Sequence, residues 1–506
     1  MSKRIISRRG ILGLSATAGI SAVLAACGAT PTPQVIEKVV EREVTKIVEG
    51  TPQVVVETVV VQETVVVKET VQVAAPTAAA QGPIVLKMLW RITNPQEEPA
   101  MNALWDRFEE LNPNIKISPR VFAPYPEVET KAQAWLAAND PMAIFECIAG
   151  PVARFLASRE QCFPLQPFVD RDSYDLTDFY PMTMTLCRYR GDLIALPSMT
   201  FPTFMSYNKD LFAEAGLDNP PMDWDDTNWN WDTWMTYAQK LTKFGDDGNP
   251  TQYALAGMGD TRYFTRHYGL EWFNKEMLDD GYPKEFCPER EAMTALLQQM
   301  QDWMYKSHYS TSPAEEQTIS AGVPLFKTGK IGTQHDSVGG LVGNADIEAF
   351  EYGFCPEPWP VDRPRWNYAY PDQWYIPKPQ KYVDACWELM KFTVSEEGCK
   401  YHPIMSNTAI APRMSMAGYY ASYVMTNLTT ARHEYTREEL DFALKGMDYC
   451  QTTWAHGAIE YFRYWFESLQ PNLEALFANE MTPEDCMNNI EKSVTAIMAE
   501  TNPDWL

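Results

Sequence analysis

The chain has 506 residues, 45% of them apolar, with 16 Trp and 25 Tyr, enough for two domains with sizeable cores. Lys and Arg number 42 against 67 Asp and Glu, a net charge of −25, which argues against nucleic acid and anionic lipid headgroups as partners. Ten cysteines and six histidines occur without a Cys-x-x-Cys, a His-Glu-x-x-His or a Cys/His cluster, so neither a metal nor a cofactor is expected.

In chain order, Lys3, Arg4, Arg8 and Arg9 precede an apolar run from Ile11 to Val23, and Ala25 and Ala26 precede Cys27. These are the three parts of an export signal. The run is shorter than the ~20 apolar residues that a bilayer span requires. Ser7-Arg8-Arg9-Gly10-Ile11-Leu12 resembles a twin-arginine export signal, and Leu24-Ala25-Ala26-Cys27 resembles a bacterial lipobox. The second resemblance implies that Cys27 is acylated, becomes the mature N-terminus and anchors the chain to the outside of the cell membrane. An ordinary signal peptide with an incidental cysteine is the alternative.

Residues 28–82 carry no aromatic side chain, and "VVVETVVVQETVVVKETV" repeats valines between polar residues. Without large side chains to build a core, this reads as a low-complexity spacer spanning roughly 40 Å as a coil. A coiled coil or a strand stalk is the rival reading.

The folded body occupies 83–506. "PIVLKMLW" predicts a buried strand, and the spacing of Ala100, Leu104, Phe108 and Leu111 predicts a helix stopped by Asn112-Pro113-Asn114. "NIKISPRVF", a helix carrying Val128, Ala132, Trp135 and Ala138, and the strand "MAIFECIAG" follow. Strand alternating with helix is the pattern of a doubly wound α/β layer. Further on, "TFMSYN" and "TQYALAG" read as strands, and Asn230 is placed to cap a helix with Trp231, Trp234, Ala238 and Leu241 on one face. The last hundred residues read as mainly helical. Excluding Cys27 leaves nine cysteines, so at least one is unpaired within the chain; Cys147 with Cys162 and Cys386 with Cys399 are near enough in sequence to pair.

"MNALWDRFEELNPNIKI", "RGDLIALPSMTFPTFMSYNKDLFAEAGL", "GDDGNPTQYALAG", "LFKTGKIG", "CWELMKFTVSEEGCKYHP" and "AIAPR" stand in the order and near the separations found in bacterial extracellular solute-binding proteins of the carbohydrate, maltodextrin-binding-like class. The resemblance covers essentially all of 83–506. It implies a two-lobed periplasmic-binding-protein-like α/β fold with a hinge and an interlobe cleft, the first lobe at about 83–199 and 338–371 and the second at about 200–337 and 372–506. Crossovers are expected near Pro197 to Pro202, Asp336 and Tyr370. The implied function is capture of a mono- or oligosaccharide by lobe closure and delivery to the permease subunits of an ATP-binding-cassette importer, by a monomer that is not an enzyme. A glycan-active enzyme and a surface adhesin are the alternatives.

A sugar offers hydroxyls and apolar C–H faces, so its site wants aromatic platforms with carboxylates, amides or Arg at their edges. Trp90 and Arg91 follow the first strand, Tyr125 follows the second and Glu146 lies near the end of the third; core packing or surface exposure is the alternative for each. In "MDWDDTNWNWDTW", Trp224 and Trp229 precede the helix and are the freer to meet ligand. Asp223 and Asp225 hint at calcium, but Asn228 replaces the glycine that an EF-hand loop needs. The resemblance adds Trp272, Asp336, Asp372, Gln373, Trp374 and Arg413, each with a hinge or surface-pairing role as the alternative.

Overall fold

The computed structural model describes residues 35–48, 51–64, 82–92, 95–124, 127–147, 152–257, 264–320, 322–402, 409–428 and 433–501. They belong to two compact units, Met1–Ala80 and Gln81–Leu506. The leader and Cys27 lie outside the described residues.

In the first unit, strands Val35–Val48 and Thr51–Thr64 pair antiparallel, Val48 opposite Thr51 and Val35 opposite Thr64. The coil reading of this stretch is thereby corrected to the strand stalk. Its dense β-branched residues favour extended backbone, and fourteen residues of strand reach about 45 Å.

In the second unit the apolar strand Ile84–Ile92 pairs in parallel with Ile115–Pro124. Helix Glu97–Leu111 connects them and buries Met101, Leu104, Trp105 and Phe108. Leu111, expected inside, is 47% exposed. The stripe is rotated because Met101 and Trp105 bring more apolar area to the core than Ala100 and Leu111 would.

The 13-residue strand Leu196–Asn208 organises everything else. Its first half, Leu196 to Pro202, pairs antiparallel with Trp374 to Ala369. Its second half pairs with two other strands: Thr203 to Tyr207 with Ser337 to Thr333, and Met205 to Asn208 with Cys355 to Tyr352. One continuous strand thus serves both lobes, and the change of partner at Pro202 and Thr203 is the first crossover. Strand Phe145–Cys147 borders Ala369–Tyr375 in the first lobe, and Pro250–Leu255 borders Ile331–Ser337 in the second. Among the described residues the parallel pairs are 84–92 with 115–124 and 250–255 with 331–337. The sheets are therefore mixed, within the two-lobed α/β fold expected.

Register also corrects the lobe boundaries. Tyr352–Cys355 lies in the second-lobe sheet, and Ala369–Tyr375 lies wholly in the first. Asp372 to Tyr375 therefore belong to the first lobe. Helix Val383–Thr393 follows them there, its Phe392 meeting Phe108 of the first helix at 5.7 Å.

Trp231, Trp234, Ala238 and Leu241 are all buried on helix Trp231–Leu241, and Asn230 caps it by accepting from the Thr233 amide. The C-terminal region is mainly helical, with a capping box at Thr436 and Glu439 and a final helix Pro483–Thr501. Cys162, Cys386 and Cys399 are free and buried, so neither suggested disulfide forms. No described helix is long and apolar enough to cross a membrane.

Candidate functional site

Three strand ends of the first lobe converge on one cation. Arg91, near the end of Ile84–Ile92, places Nη2 3.1 Å from Asp372 Oδ2 and 3.3 Å from Glu146 Oε2. The carboxylates meet because Glu146 lies opposite Trp374, two residues beyond Asp372 on the neighbouring strand. Glu146 is 6% exposed and Asp372 1%. Burial, reinforced by the Asp372 charge and opposed by Arg91, pushes the Glu146 carboxyl up to about 8. Burial thus favours the protonated form of Glu146, which can donate as well as accept, beside the Arg91–Asp372 ion pair.

Glu146 favours folding while it stays protonated. Its folded-state value lies above the ordinary carboxylate value, so the contribution is complete in acid and is lost as pH rises toward about 8. Glu146→Gln keeps the neutral form at every pH. The stability of the variant relative to the parent should therefore grow between pH 5 and 8, by at most about 1.4 kcal/mol per pH unit. Denaturant melts of both proteins across that range check this; parallel curves would mean that Glu146 ionises normally.

The aromatic expectations fare differently. Trp90 stacks on Trp374 at 5.5 Å, and the His402 ring stands edge-on to both. At 2% and 0% exposure the two indoles are core, not open sugar platforms. Both indole Nε1 atoms, and Gln373 Oε1, are buried without a hydrogen-bond partner. Trp224 is enclosed between Phe442 and Tyr449 and donates to the Phe442 carbonyl, and Trp229 donates to the Pro356 carbonyl. Trp272 is fully buried against Phe286. All three are buried in the core and present no open face to a ligand, because segments remote in sequence pack over them.

Asp336 accepts from Ser206 Oγ, Gln334 Nε2, Asn344 Nδ2 and the Ser337 amide at 2.6–3.0 Å. These bonds fasten the end of strand Ile331–Ser337 to Ser206 of the shared strand and to Asn344 of the helix that follows. Arg413 donates to the Val394 carbonyl and the Tyr174 hydroxyl and pairs with Asp178, so it too is structural. Tyr125 lies outside the described residues.

A cavity of about 740 Å³ has Glu146 among its lining residues. The first lobe contributes Val128, Phe155 and Tyr375, and the second contributes Ile459 and Phe462, with Gln161 and Lys378 among the polar groups on its wall. A second cavity of about 310 Å³ lies between Pro181 and Met182 on one side and Arg266, Glu271, Lys275 and Trp454 on the other. Arg266 pairs with Glu271 and lies 4.5 Å from the Trp366 ring centroid. A third, about 540 Å³, is lined by Arg154, Arg188 and Arg190 with Asp279.

Arg154 ties the two sides together. From helix Val152–Ser158 it donates to the carbonyls of Leu278 at 2.8 Å and Gly457 at 3.5 Å across the cleft, and to Thr185 at 3.0 Å on its own side. Burial lowers its pKa to about 10, which leaves it cationic at neutral pH. Sequence reasoning missed Arg154 and Phe462. The signals available were an Arg inside an otherwise apolar helix, "VARFLAS", and the dense aromatic run "YFRYWF".

The profile of the family described as bacterial extracellular solute-binding protein matches residues 94–398. The sn-glycerol-3-phosphate-binding periplasmic protein of Salmonella typhimurium is 25% identical over 286 residues, 54% of this chain and 61% of its own length. A putative binding protein of Brucella abortus is 28% identical over 214 residues, 41% of this chain and 48% of its own. The chain thus spans about 61% of the first of these relatives. The Listeria monocytogenes substrate-binding protein solved with cycloalternan superimposes with a TM-score of 0.63 at 18% identity, covering 82% of this chain and 99% of that one. The cyclic α-maltosyl-1,6-maltose-binding protein of Arthrobacter globiformis gives 0.63 at 17%, covering 83% and 100%. At these identities the likeness is one of fold.

Proposed function

Because the chain belongs to the bacterial extracellular solute-binding proteins, we propose that it captures a sugar or oligosaccharide between its lobes and presents it to the permease of an ATP-binding-cassette importer. It acts as a monomer without catalysing a reaction, tethered outside the cell through acylated Cys27. The observation that carries this reading is the cavity of about 740 Å³ with walls from both lobes and Glu146 among its lining residues. Its volume falls in the range of about 300–1,000 Å³ typical of small-molecule sites. Faces for C–H contact come from Phe155, Tyr375 and Phe462, and polar edges from Gln161, Lys378 and Glu146. A ligand touching both walls favours the closed arrangement, which is the differential affinity that lobe closure requires.

A phosphorylated polyol is the second reading. The cavity lined by Arg154, Arg188 and Arg190 favours it, because guanidinium forks suit phosphate oxygens.

The test is a titration of mono- and oligosaccharides, with glycerol 3-phosphate alongside, read by tryptophan fluorescence and melting temperature. The sugar reading expects binding at micromolar concentration or tighter, about 8 kcal/mol, with a fall in radius of gyration and no turnover. A response to glycerol 3-phosphate alone would move the assignment to the second reading. Release of reducing sugar from an oligosaccharide would make the protein an enzyme.

A further inference from the structure

The second lobe brings together three groups that no sequence motif connects. His267 sits on the short turn Thr265–Tyr268, His335 on strand Ile331–Ser337 opposite Met205, and Glu357 just beyond strand Tyr352–Cys355. One ligand atom from each lies within 4.8 Å of the others. The two imidazoles are parallel, 5.5 Å apart with 9° between planes, and His335 Nδ1 is 2.9 Å from both Glu357 oxygens.

We infer that His267, His335 and Glu357 bind a divalent transition-metal ion of the zinc class. A His–Glu ion pair would account for only one edge of this cluster. His267 Nδ1, His335 Nε2 and the neighbouring Tyr268 hydroxyl are all buried without a hydrogen-bond partner, whereas buried polar groups are nearly always satisfied. Two imidazoles and a carboxylate form a nitrogen-rich donor set that suits zinc and its neighbours and is poor for calcium or magnesium, which take oxygen ligands. Ligand atoms around a tetrahedral zinc stand about 3.3 Å apart, so the three groups need draw together only modestly.

The surrounding contacts hold the ligands in place. The Trp231 indole donates to the His267 carbonyl at 3.0 Å, and Phe264 stands edge-on to the His335 ring at 4.7 Å. Such outer contacts fix ring orientation at metal sites. Bound metal would tie the Thr265–Tyr268 turn to strand Ile331–Ser337, and so would hold Arg266 at the wall of the interlobe cavity.

The full chain is stripped with a chelator, offered zinc, separated by gel filtration and assayed for retained metal; cobalt(II) replaces zinc in a parallel titration. The expected result is one zinc per chain, a higher melting temperature and a visible cobalt spectrum of nitrogen and oxygen ligation. His267→Gln and Glu357→Gln should each weaken zinc by at least about 100-fold. His308→Gln, a more exposed histidine, should leave it unchanged. A parent chain that retains no zinc and gives no visible cobalt band overturns the inference whether or not the variants fold. So does a folded His267→Gln that holds zinc as tightly as the parent. Neither outcome bears on the sugar titration.

Discussion

Replacing Arg91 by methionine is expected to cost the fold about 3–5 kcal/mol, the penalty usual for removing one partner from a buried ion pair. The guanidinium, 13% exposed, stands within 3.3 Å of two carboxylates that are themselves 3% and 2% exposed at the side chain. Methionine keeps much of the volume and the contact with Trp90, so the loss reports charge and hydrogen bonding more than packing. Asp372 must then lose its nearest cation or take up a proton. Arg91→Lys should recover part of the loss: both carboxylates meet the single Nη2, which an ammonium replaces in charge, while its shorter stem and compact head leave the distances less well matched. Denaturant melts at pH 7 measure both variants. A cost below about 1 kcal/mol for Arg91→Met would show that the carboxylates are held by something else.

What could be read in advance, and what could not, divides by distance along the chain. The cap at Asn230, the apolar stripe from Trp231 to Leu241 and the long strand leading into Tyr207-Asn208-Lys209 rest on residues a few positions apart, and local pattern captured them. Whether a tryptophan is core or platform is decided by a remote segment. Trp224 is enclosed by Phe442 and Tyr449, and Trp90 by Trp374 and His402. The assignment of Asp372 to the first lobe depends on a strand register that alternation alone leaves open. The convergence of Arg91, Glu146 and Asp372 was legible residue by residue, but their mutual distance was not. His267, His335 and Glu357 were invisible for the same reason: their grouping is a product of the fold alone.

Arg154→Ala is expected to loosen the lobes and weaken ligand capture by about 10- to 100-fold. Each hydrogen bond from a charged donor is worth about 1.5–3 kcal/mol net. Arg154 makes two across the cleft, of which only the 2.8 Å bond to Leu278 has near-ideal length. Their loss is thus equivalent to about 1.4–3 kcal/mol against the closed arrangement, and the binding-competent fraction falls in proportion. The same change strips the Thr185 carbonyl of its partner within the first lobe, so some loss of melting temperature should accompany the opening. Arg159→Ala is the control. Its pair with Glu460 also bridges the cleft, but the Arg159 side chain is 43% exposed and such pairs contribute about 0–1 kcal/mol. Small-angle scattering of the ligand-free proteins should therefore separate the two variants, with an enlarged radius of gyration for Arg154→Ala alone. Equal radii and equal affinities would mean that the lobes are held by their apolar contacts, with Ile459 and Phe462 as the groups to truncate next, and that Arg154 serves only to satisfy carbonyls within a rigid body.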